Sequence, residues 1–307
     1  MHQSIQVSVV QAAPKLFDLN ATIDQVERLV KKSSGSQLIL FPEAFVSAYP
    51  RGLGFGTVVG SRTEEGRVLW QKYWDSSIQE GDAACLRLGK MAKGAKAFLA
   101  IGVNEKDTVS GTLYCSIFYF SPQGDIIGKH RKIKPTAQER VIWGEDDGST
   151  LSTFDTELGK IGGLICWENY MPMARMAMYE KGVQLYLAPT ADARENWQAT
   201  MKHIALEGRC FVLASNQFVK KSDYPVELQE ELVSQPDIMS KGGSVIIDPL
   251  GEVIAGPLWN EEGIITAEIN LDRVTQAKLD FDPIGHYHRP DLFKLEVKNM
   301  PATKVVK

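Results

Sequence analysis

Apolar and polar positions alternate along this chain in two rhythms, short apolar runs and longer stretches at helical spacing. Residues 6–12 are apolar and β-rich (Val7, Val9, Val10) and predict a buried strand. Asp18-Leu19-Asn20 supplies N-cap chemistry, after which Ile23, Val26 and Leu29-Val30 recur at helical spacing. Leu38 to Phe41 is a second apolar run, ending at Pro42-Glu43. This β-α-β opening predicts a sheet packed by helices. Helices are predicted over 64–77 and 82–93, and strands over 97–103 and 112–120. Ser121-Pro122-Gln123-Gly124-Asp125 places Pro and Gly where a tight type I turn favours them, and a strand over 126–132 returns from it.

The rhythm continues in the second half. A turn at Leu158-Gly159 leads into apolar residues that run to Ile165, so Cys166 stands where a buried strand gives way to a loop and a helix over 173–181. A strand over 184–188 ends at Pro189-Thr190, a helix covers 197–207, and a strand covers 210–216. The acidic, proline-containing stretch 220–240 reads as an excursion from the core. Residues 243–256 form a second β-turn-β unit that echoes 118–128: an apolar strand, Ser/Asp-Pro-x-Gly-Asp/Glu, then apolar residues and glycine. The echo points to two related halves. A strand over 263–269 and a helix over 273–279 follow. No low-complexity linker interrupts the chain, so 1–307 reads as a single domain with a polar, aromatic tail from about 285.

Composition narrows the class. Apolar residues make up 44% and charged residues 23% of the 307, ordinary for a globular protein. A formal charge of −4 argues against a nucleic acid or an anionic membrane as partner. No apolar run reaches the length of a membrane span, and Met1 to Ile5 leads into a strand pattern without a signal-peptide core, so a cytoplasmic location is expected. Cys85, Cys115, Cys166 and Cys210 show no C-x-x-C spacing, so reduced thiols are expected. His286 and His288 have no Cys cluster nearby and read as structural, so no metal is expected.

Three residues at strand ends carry candidate chemistry. Glu43 directly follows a buried strand, where a carboxylate is desolvated or paired. Lys132 belongs to a basic segment with Lys129, Arg131 and Lys134, and strand alternation sends it to the face of His130, opposite Arg131. Cys166 can act as a nucleophile if a neighbour takes its proton. Singly, each has a plainer reading: exposed acid, edge-strand lysine, core thiol. Together, strand ends of an α/β sheet can bring a base, a cation and a nucleophile to one pocket. The loop Tyr49-Pro50-Arg51-Gly52-Leu53-Gly54-Phe55-Gly56 can line such a site, and it lacks the Gly-Lys-Ser/Thr ending of a phosphate loop.

With these motifs the chain resembles the nitrilases of the carbon–nitrogen hydrolase superfamily over nearly its whole length. Phe41-Pro42-Glu43-Ala44-Phe45 is similar to the family's base motif. His130-Arg131-Lys132-Ile133-Lys134-Pro135-Thr136 is similar to its lysine motif, and Cys166-Trp167-Glu168-Asn169-Tyr170-Met171-Pro172 to its nucleophile motif. Gln138-Glu139-Arg140, Tyr49-Pro50-Arg51-Gly52, Ala188-Pro189-Thr190-Ala191-Asp192 and the 285–291 segment add further matches.

The resemblance implies an α/β fold, a four-layer α-β-β-α sandwich, and hydrolysis of a nitrile to acid and ammonia without metal or organic cofactor. It implies Cys166 as nucleophile, Glu43 as general base, Lys132 as the cation for developing charge, and Glu139 as the group that orients Lys132 or substrate. His130 and His203 are then supporting residues. Tyr49, Trp143, Trp167, Pro189 and Thr190 are expected to bind substrate. With Phe55 and Trp197, the aromatic neighbourhood predicts arylaliphatic or aromatic nitriles. Expected partners are a small nitrile, water and a second copy of the chain, with the tail from about 285 in oligomer contacts and a smaller oligomer than a long spiral. The alternatives are an amidase or carbamoylase of the same superfamily, and a catalytically silent, self-assembling scaffold.

Overall fold

Side chains of successive strand residues point to opposite faces, and here both faces are covered. The protein is described from a computed structural model, which covers residues 4–298 together with Lys304 and Val305. In chain order the strands are β1 (Ile5–Gln11), β2 (Leu38–Leu40), β3 (Thr57–Val58), β4 (Ser61–Arg62), β5 (Phe98–Lys106), β6 (Leu113–Phe120), β7 (Ile126–Arg131) and β8 (Thr153–Thr156). They continue as β9 (Gly159–Gly163), β10 (Leu185–Thr190), β11 (Phe211–Asn216), β12 (Phe218–Lys220), β13 (Ile238–Ile247), β14 (Val253–Trp259), β15 (Gly263–Ile269) and β16 (Lys304–Val305). The helices are α1 (Leu19–Lys32), α2 (Glu64–Ser76), α3 (Ala83–Ala95), α4 (Pro172–Glu180), α5 (Asn196–Gly208) and α6 (Asp272–Ala277). None of the described helices is long and apolar enough to cross a membrane.

Two sheets carry the fold, one in the order β15-β1-β2-β5-β6-β7 and the other β12-β13-β11-β10-β9-β8-β16, with β14 on β13. Between them lies one apolar layer, fed by Val7, Val9 and Ala100 from the first sheet and by Leu185, Leu187 and Leu213 from the second. The opposite faces of the same strands meet helices. Val10, Leu99 and Ile101 pack with Ile23 and Val26 of α1 and Leu88 of α3, and Tyr186, Ala188 and Val212 pack with Met178 of α4 and Met201 and Ile204 of α5. The result is the four-layer α-β-β-α sandwich.

The sequence echo has a structural counterpart. β1-β2-β5 run parallel and are followed by the antiparallel pair β6-β7. β9-β10-β11 run parallel and are followed by the antiparallel β13-β14. The two connecting turns share one hydrogen-bond pattern. Gly124 N donates to Ser121 O at 2.9 Å and Ser121 N to Asp125 O at 2.9 Å; Gly251 N donates to Asp248 O at 2.9 Å and Asp248 N to Glu252 O at 2.8 Å. Both closing glycines have positive φ, +96° and +82°, which L-residues rarely adopt.

Most predicted elements fall within a few residues of these bounds; β13 and β7 differ from them, and β3, β4, β8, β12 and β16 lie where the sequence predicts no strand. β13 begins at Ile238, inside the stretch read as an excursion. Its first half is Ile-Met-Ser-Lys-Gly-Gly, without an apolar run, and is held instead by pairing to β12 and by Ser240 donating to Gln217 O at 2.7 Å. β8 was not predicted, because Thr-Phe-Asp-Thr offers one large apolar residue. β7 ends at Arg131 rather than Lys132. Of the tail expected in oligomer contacts, residues 299–303 and 306–307 lie outside the described residues.

Candidate active site

Each candidate residue sits just past the C-terminal end of a strand: Glu43 after β2, Lys132 after β7, Cys166 after β9. The chain can approach closely there because two positions lack side chains. A Cβ on Gly102 of β5 would meet Pro42 O at 2.2 Å and Glu43 Cα at 2.7 Å, and one on Gly163 would meet Leu187 O at 1.9 Å. Gln217 Nε2 adds a hydrogen bond to Glu43 O at 2.9 Å. Lys132 N donates to Cys115 O at 2.8 Å, which continues the β6-β7 ladder by one residue.

Cys166 opens a short 3₁₀ turn, Cys166–Tyr170, with φ +51°. Non-glycine residues rarely adopt such a backbone, and it persists only where surroundings enforce it. The enforcing groups are its neighbours. Glu168 accepts from Ile165 N at 2.6 Å and from Ile133 N at 2.6 Å. Asn169 Nδ2 donates to Leu164 O at 3.0 Å and to Cys166 O at 2.8 Å, while Tyr186 OH donates to Asn169 Oδ1 at 2.8 Å. The Cys166 sulfur thereby faces Thr190, whose Oγ1 donates to it at 3.3 Å.

Beside it lies a buried charge cluster. Lys132 Nζ is 2.6 Å from Glu43 Oε1 and 2.8 Å from Glu139 Oε2. Glu139 also accepts from Tyr49 OH at 2.6 Å and Thr136 N at 2.6 Å. Cys115 Sγ donates to Glu43 Oε1 at 3.6 Å, while Glu43 Oε2 is buried and, among the described residues, has no hydrogen-bond partner. Lys132 has three N–H donors; the two carboxylates occupy two of them.

The electrostatics follow from burial and proximity. Burial raises the Glu43 carboxyl above the ordinary carboxylate range and the like charge of Glu139 adds to it, against the opposing pull of Lys132. Burial works against the Lys132 ammonium, but Glu43, Cys166 and Glu139 outweigh it, and the ammonium is held well above its usual range. Burial and the charge of Glu43 push the Cys166 thiol up, with Lys132 and the Thr190 hydroxyl pulling the other way. The resting site is thus a thiol beside a carboxylate with one open oxygen and a fixed cation. Such a set can transfer a proton and stabilise an anion as it forms.

A cleft of about 590 Å³ opens over the sulfur. Of the residues expected to bind substrate, Tyr49 and Trp167 line it, and Thr190 contacts Cys166 without lining it. Trp143 lies behind the wall, 2% exposed, with its ring against Tyr49 at 5.6 Å. Pro189 is buried within β10. Phe55 packs on Trp70 and Tyr73, and Trp197, in the first turn of α5, is buried against Tyr170. These four do not line the cleft. His130 contacts Glu168, whereas His203 is exposed on α5 beside Glu207, away from the site. Arg51 and Asp192 lie in motifs that the sequence marks without giving them a role, Arg194 and Lys241 were missed altogether, and the four give the cleft its charged rim. Trp167 Nε1 donates to Asp192 at 2.9 Å, and Asp192 also pairs with Arg194. Among the described residues, no group of three or more His, Cys, Asp or Glu side chains could hold a metal ion.

The carbon-nitrogen hydrolase family profile matches residues 6–279. The chain is 47% identical to a bifunctional nitrilase/nitrile hydratase of Lupinus angustifolius, over 98% of this chain and 88% of that one. It is 47% identical to an aliphatic nitrilase of Sinorhizobium fredii, over 98% of each, and 46% identical to nitrilase 1 of Arabidopsis thaliana, over 98% and 89%. Among solved structures it resembles the nitrilase-superfamily protein Nit3 of Saccharomyces cerevisiae, with a TM-score of 0.72 at 21% identity over 94% and 97% of the chains. It also resembles an amidase from Nesterenkonia, with a TM-score of 0.66 at 18% identity over 91% and 95%.

Proposed function

The chain belongs to the carbon–nitrogen hydrolase family and is a hydrolase acting on nitriles, and we propose that Glu43, Lys132 and Cys166 carry the reaction, with Glu139 holding Lys132 in place. The observation that carries this reading is the open, buried Oε2 of Glu43 in a carboxylate whose other oxygen Lys132 already occupies. Glu43 takes the Cys166 proton as the sulfur forms a bond to the nitrile carbon. The nitrile nitrogen, protonated in turn, gives a thioimidate. The third N–H of Lys132 serves the charge that develops on nitrogen and on the tetrahedral species. Water, activated by Glu43, adds to the carbon. The C–N bond breaks, ammonia leaves and a thioester remains. A second water breaks the C–S bond and releases the carboxylic acid.

Expulsion of the thiol from the first tetrahedral species would release the amide instead. The relative in Lupinus angustifolius, described as both nitrilase and nitrile hydratase, supports that as a side product. Tyr49 and Trp167 on the cleft wall support acceptance of arylaliphatic or aromatic nitriles. Exposed Met173 on α4 and Leu206 on α5 support helix-to-helix pairing with a second copy. Four free, buried thiols support a reducing cytoplasmic setting.

The test is ammonia and acid release from a nitrile panel, wild type beside Cys166→Ala. Turnover lost in the variant supports the reading. Faster release of ammonia from amides than from nitriles by the wild type would overturn it in favour of an amidase.

A further inference from the structure

Arg51 enters the cleft from the Tyr49-Pro50-Arg51-Gly52 loop. Its Nη2 donates to Ala191 O at 2.7 Å, and its guanidinium carbon lies 5.1 Å from the centre of the Tyr49 ring. Its Nε is buried and, among the described residues, has no hydrogen-bond partner. The other two cations on the cleft are matched, Arg194 to Asp192 at 2.5 Å and Lys241 to Glu195 at 3.4 Å. Among the described residues no carboxylate pairs with Arg51. A guanidinium has five N–H donors in a planar fork suited to a carboxylate, and leaving a partly buried one unmatched is costly unless something else supplies the charge.

The neighbouring chain fixes where that charge would come from. Ala191, whose carbonyl holds the guanidinium, follows Thr190, whose hydroxyl contacts the Cys166 sulfur at 3.3 Å. Consecutive residues of one strand end therefore hold the arginine and the nucleophile. A ring on one side and a carbonyl on another keep the fork in place before any ligand arrives, which lowers the cost of binding.

We propose that Arg51 is the anion-binding group of this cleft and that the preferred substrates are short nitriles carrying a carboxylate a few bonds from the nitrile carbon. The proposal rests on the nitrilase reading and adds the charge of the substrate to it. Tyr49 and Trp167 then cover the hydrocarbon between the two ends.

The experiment compares 3-cyanopropanoate with the nearly isosteric neutral 3-cyanopropanamide, products separated by chromatography, in wild type, Arg51→Gln and Arg51→Lys. The wild type should favour the anion by about tenfold or more in kcat/KM, mainly through KM, as a charge-assisted pair implies. That ratio should fall close to one in Arg51→Gln and recover in part in Arg51→Lys. Added salt should raise the wild-type KM for the anion only, a readout that does not depend on any variant folding. Equal use of the two compounds by the wild type, or an unchanged ratio in a folded Arg51→Gln, overturns the proposal. Turnover of phenylacetonitrile with neither cyano compound accepted overturns the anion site alone. No turnover of any of the three overturns the nitrilase reading and this proposal with it.

Discussion

The Nε2 of His130 lies 3.0 Å from a carboxylate oxygen of Glu168, and this buried pair ties β7, the strand that leads into Lys132, to the turn that carries Cys166. Glu168 reinforces the tie through the backbone, because it accepts from Ile133 N, the residue after Lys132, and from Ile165 N, the residue before Cys166. The cation and the nucleophile are thereby positioned by one side chain that touches neither.

That pair predicts a pH dependence of stability. Burial disfavours charge on His130, but Glu168 and Asp146 outweigh it, and the imidazolium is held above its ordinary 6.5. A raised folded-state pKa means that the native state binds the extra proton. Its stabilisation is complete below about 6.5 and is lost as pH rises through the folded value. Glu168→Gln should therefore cost about 2 kcal/mol or more at pH 6, the scale of a hydrogen bond to a charged group. The gap to wild type should narrow by pH 9. Urea midpoints of both proteins at the two pH values check this, and a gap that widens toward pH 9 would sink it.

Lys132 balances two carboxylates, so the charge cluster is asymmetric. Removing the lysine leaves Glu43 and Glu139 buried without their cation, whereas Glu43→Gln removes one of two anions. Lys132→Met should lose about 3–5 kcal/mol, the usual cost of breaking a buried pair from one side, and Glu43→Gln clearly less. Both should lose at least about a thousandfold in kcat, since each removes a group proposed to act on the reacting atoms. Denaturant unfolding ranks the two, and a Lys132→Met protein as stable as Glu43→Gln would contradict the paired-charge account.

The base also leaves a mark on the rate profile. Glu43 must be ionised to accept the Cys166 proton, and burial raises its carboxyl above the ordinary 4.5. Activity in kcat/KM should therefore fall as pH drops through a value above 4.5, and the loss should reverse when pH is restored. A neutral substrate such as phenylacetonitrile keeps the substrate out of the titration. A profile that stays flat down to 4.5 would remove Glu43 as the base.

Much of this was legible in the sequence, and the residues that were not share a cause. Val7, Val9, Leu185 and Leu187 announce their strands because alternation on an apolar background is a local signal. Glu43 and Cys166 each follow such a run and Lys132 ends a predicted basic strand that returns from a tight turn, so the sequence itself carries their common position at strand ends. The polar half of β13 could not, because Ser240 and Ser244 are held by Gln217 and by Gln11, and Gln11 is 233 residues away from Ser244. The partnership of His130 with Glu168 spans 38 residues and has no periodicity. Trp143 and Pro189 were expected at the substrate because aromatic and motif residues gather there, yet side-chain direction, which spacing does not encode, turns both into the wall. Arg51 stands inside the Tyr49-Pro50-Arg51-Gly52 motif, and only the absence, among the described residues, of a carboxylate beside it gives it meaning.

Thr190 supplies the last prediction. Expected from the sequence to touch substrate, it instead directs its hydroxyl hydrogen at the Cys166 sulfur at 3.3 Å. A hydrogen bond to sulfur favours the thiolate over the thiol, and it pulls the Cys166 thiol down against burial. Thr190→Val keeps the shape of the side chain and removes that donor, together with the acceptor that Asp192 N uses at 3.0 Å. It should lower kcat by about tenfold, the lower end of what a hydrogen bond to a charged group contributes, with KM for phenylacetonitrile changing less. Alkylation separates the sulfur from the substrate. Iodoacetamide should modify Cys166 ahead of Cys85, Cys115 and Cys210, which do not line its cleft, and should do so several-fold more slowly in Thr190→Val. An unchanged alkylation rate alongside a raised KM would mean that Thr190 acts on the substrate rather than on the nucleophile.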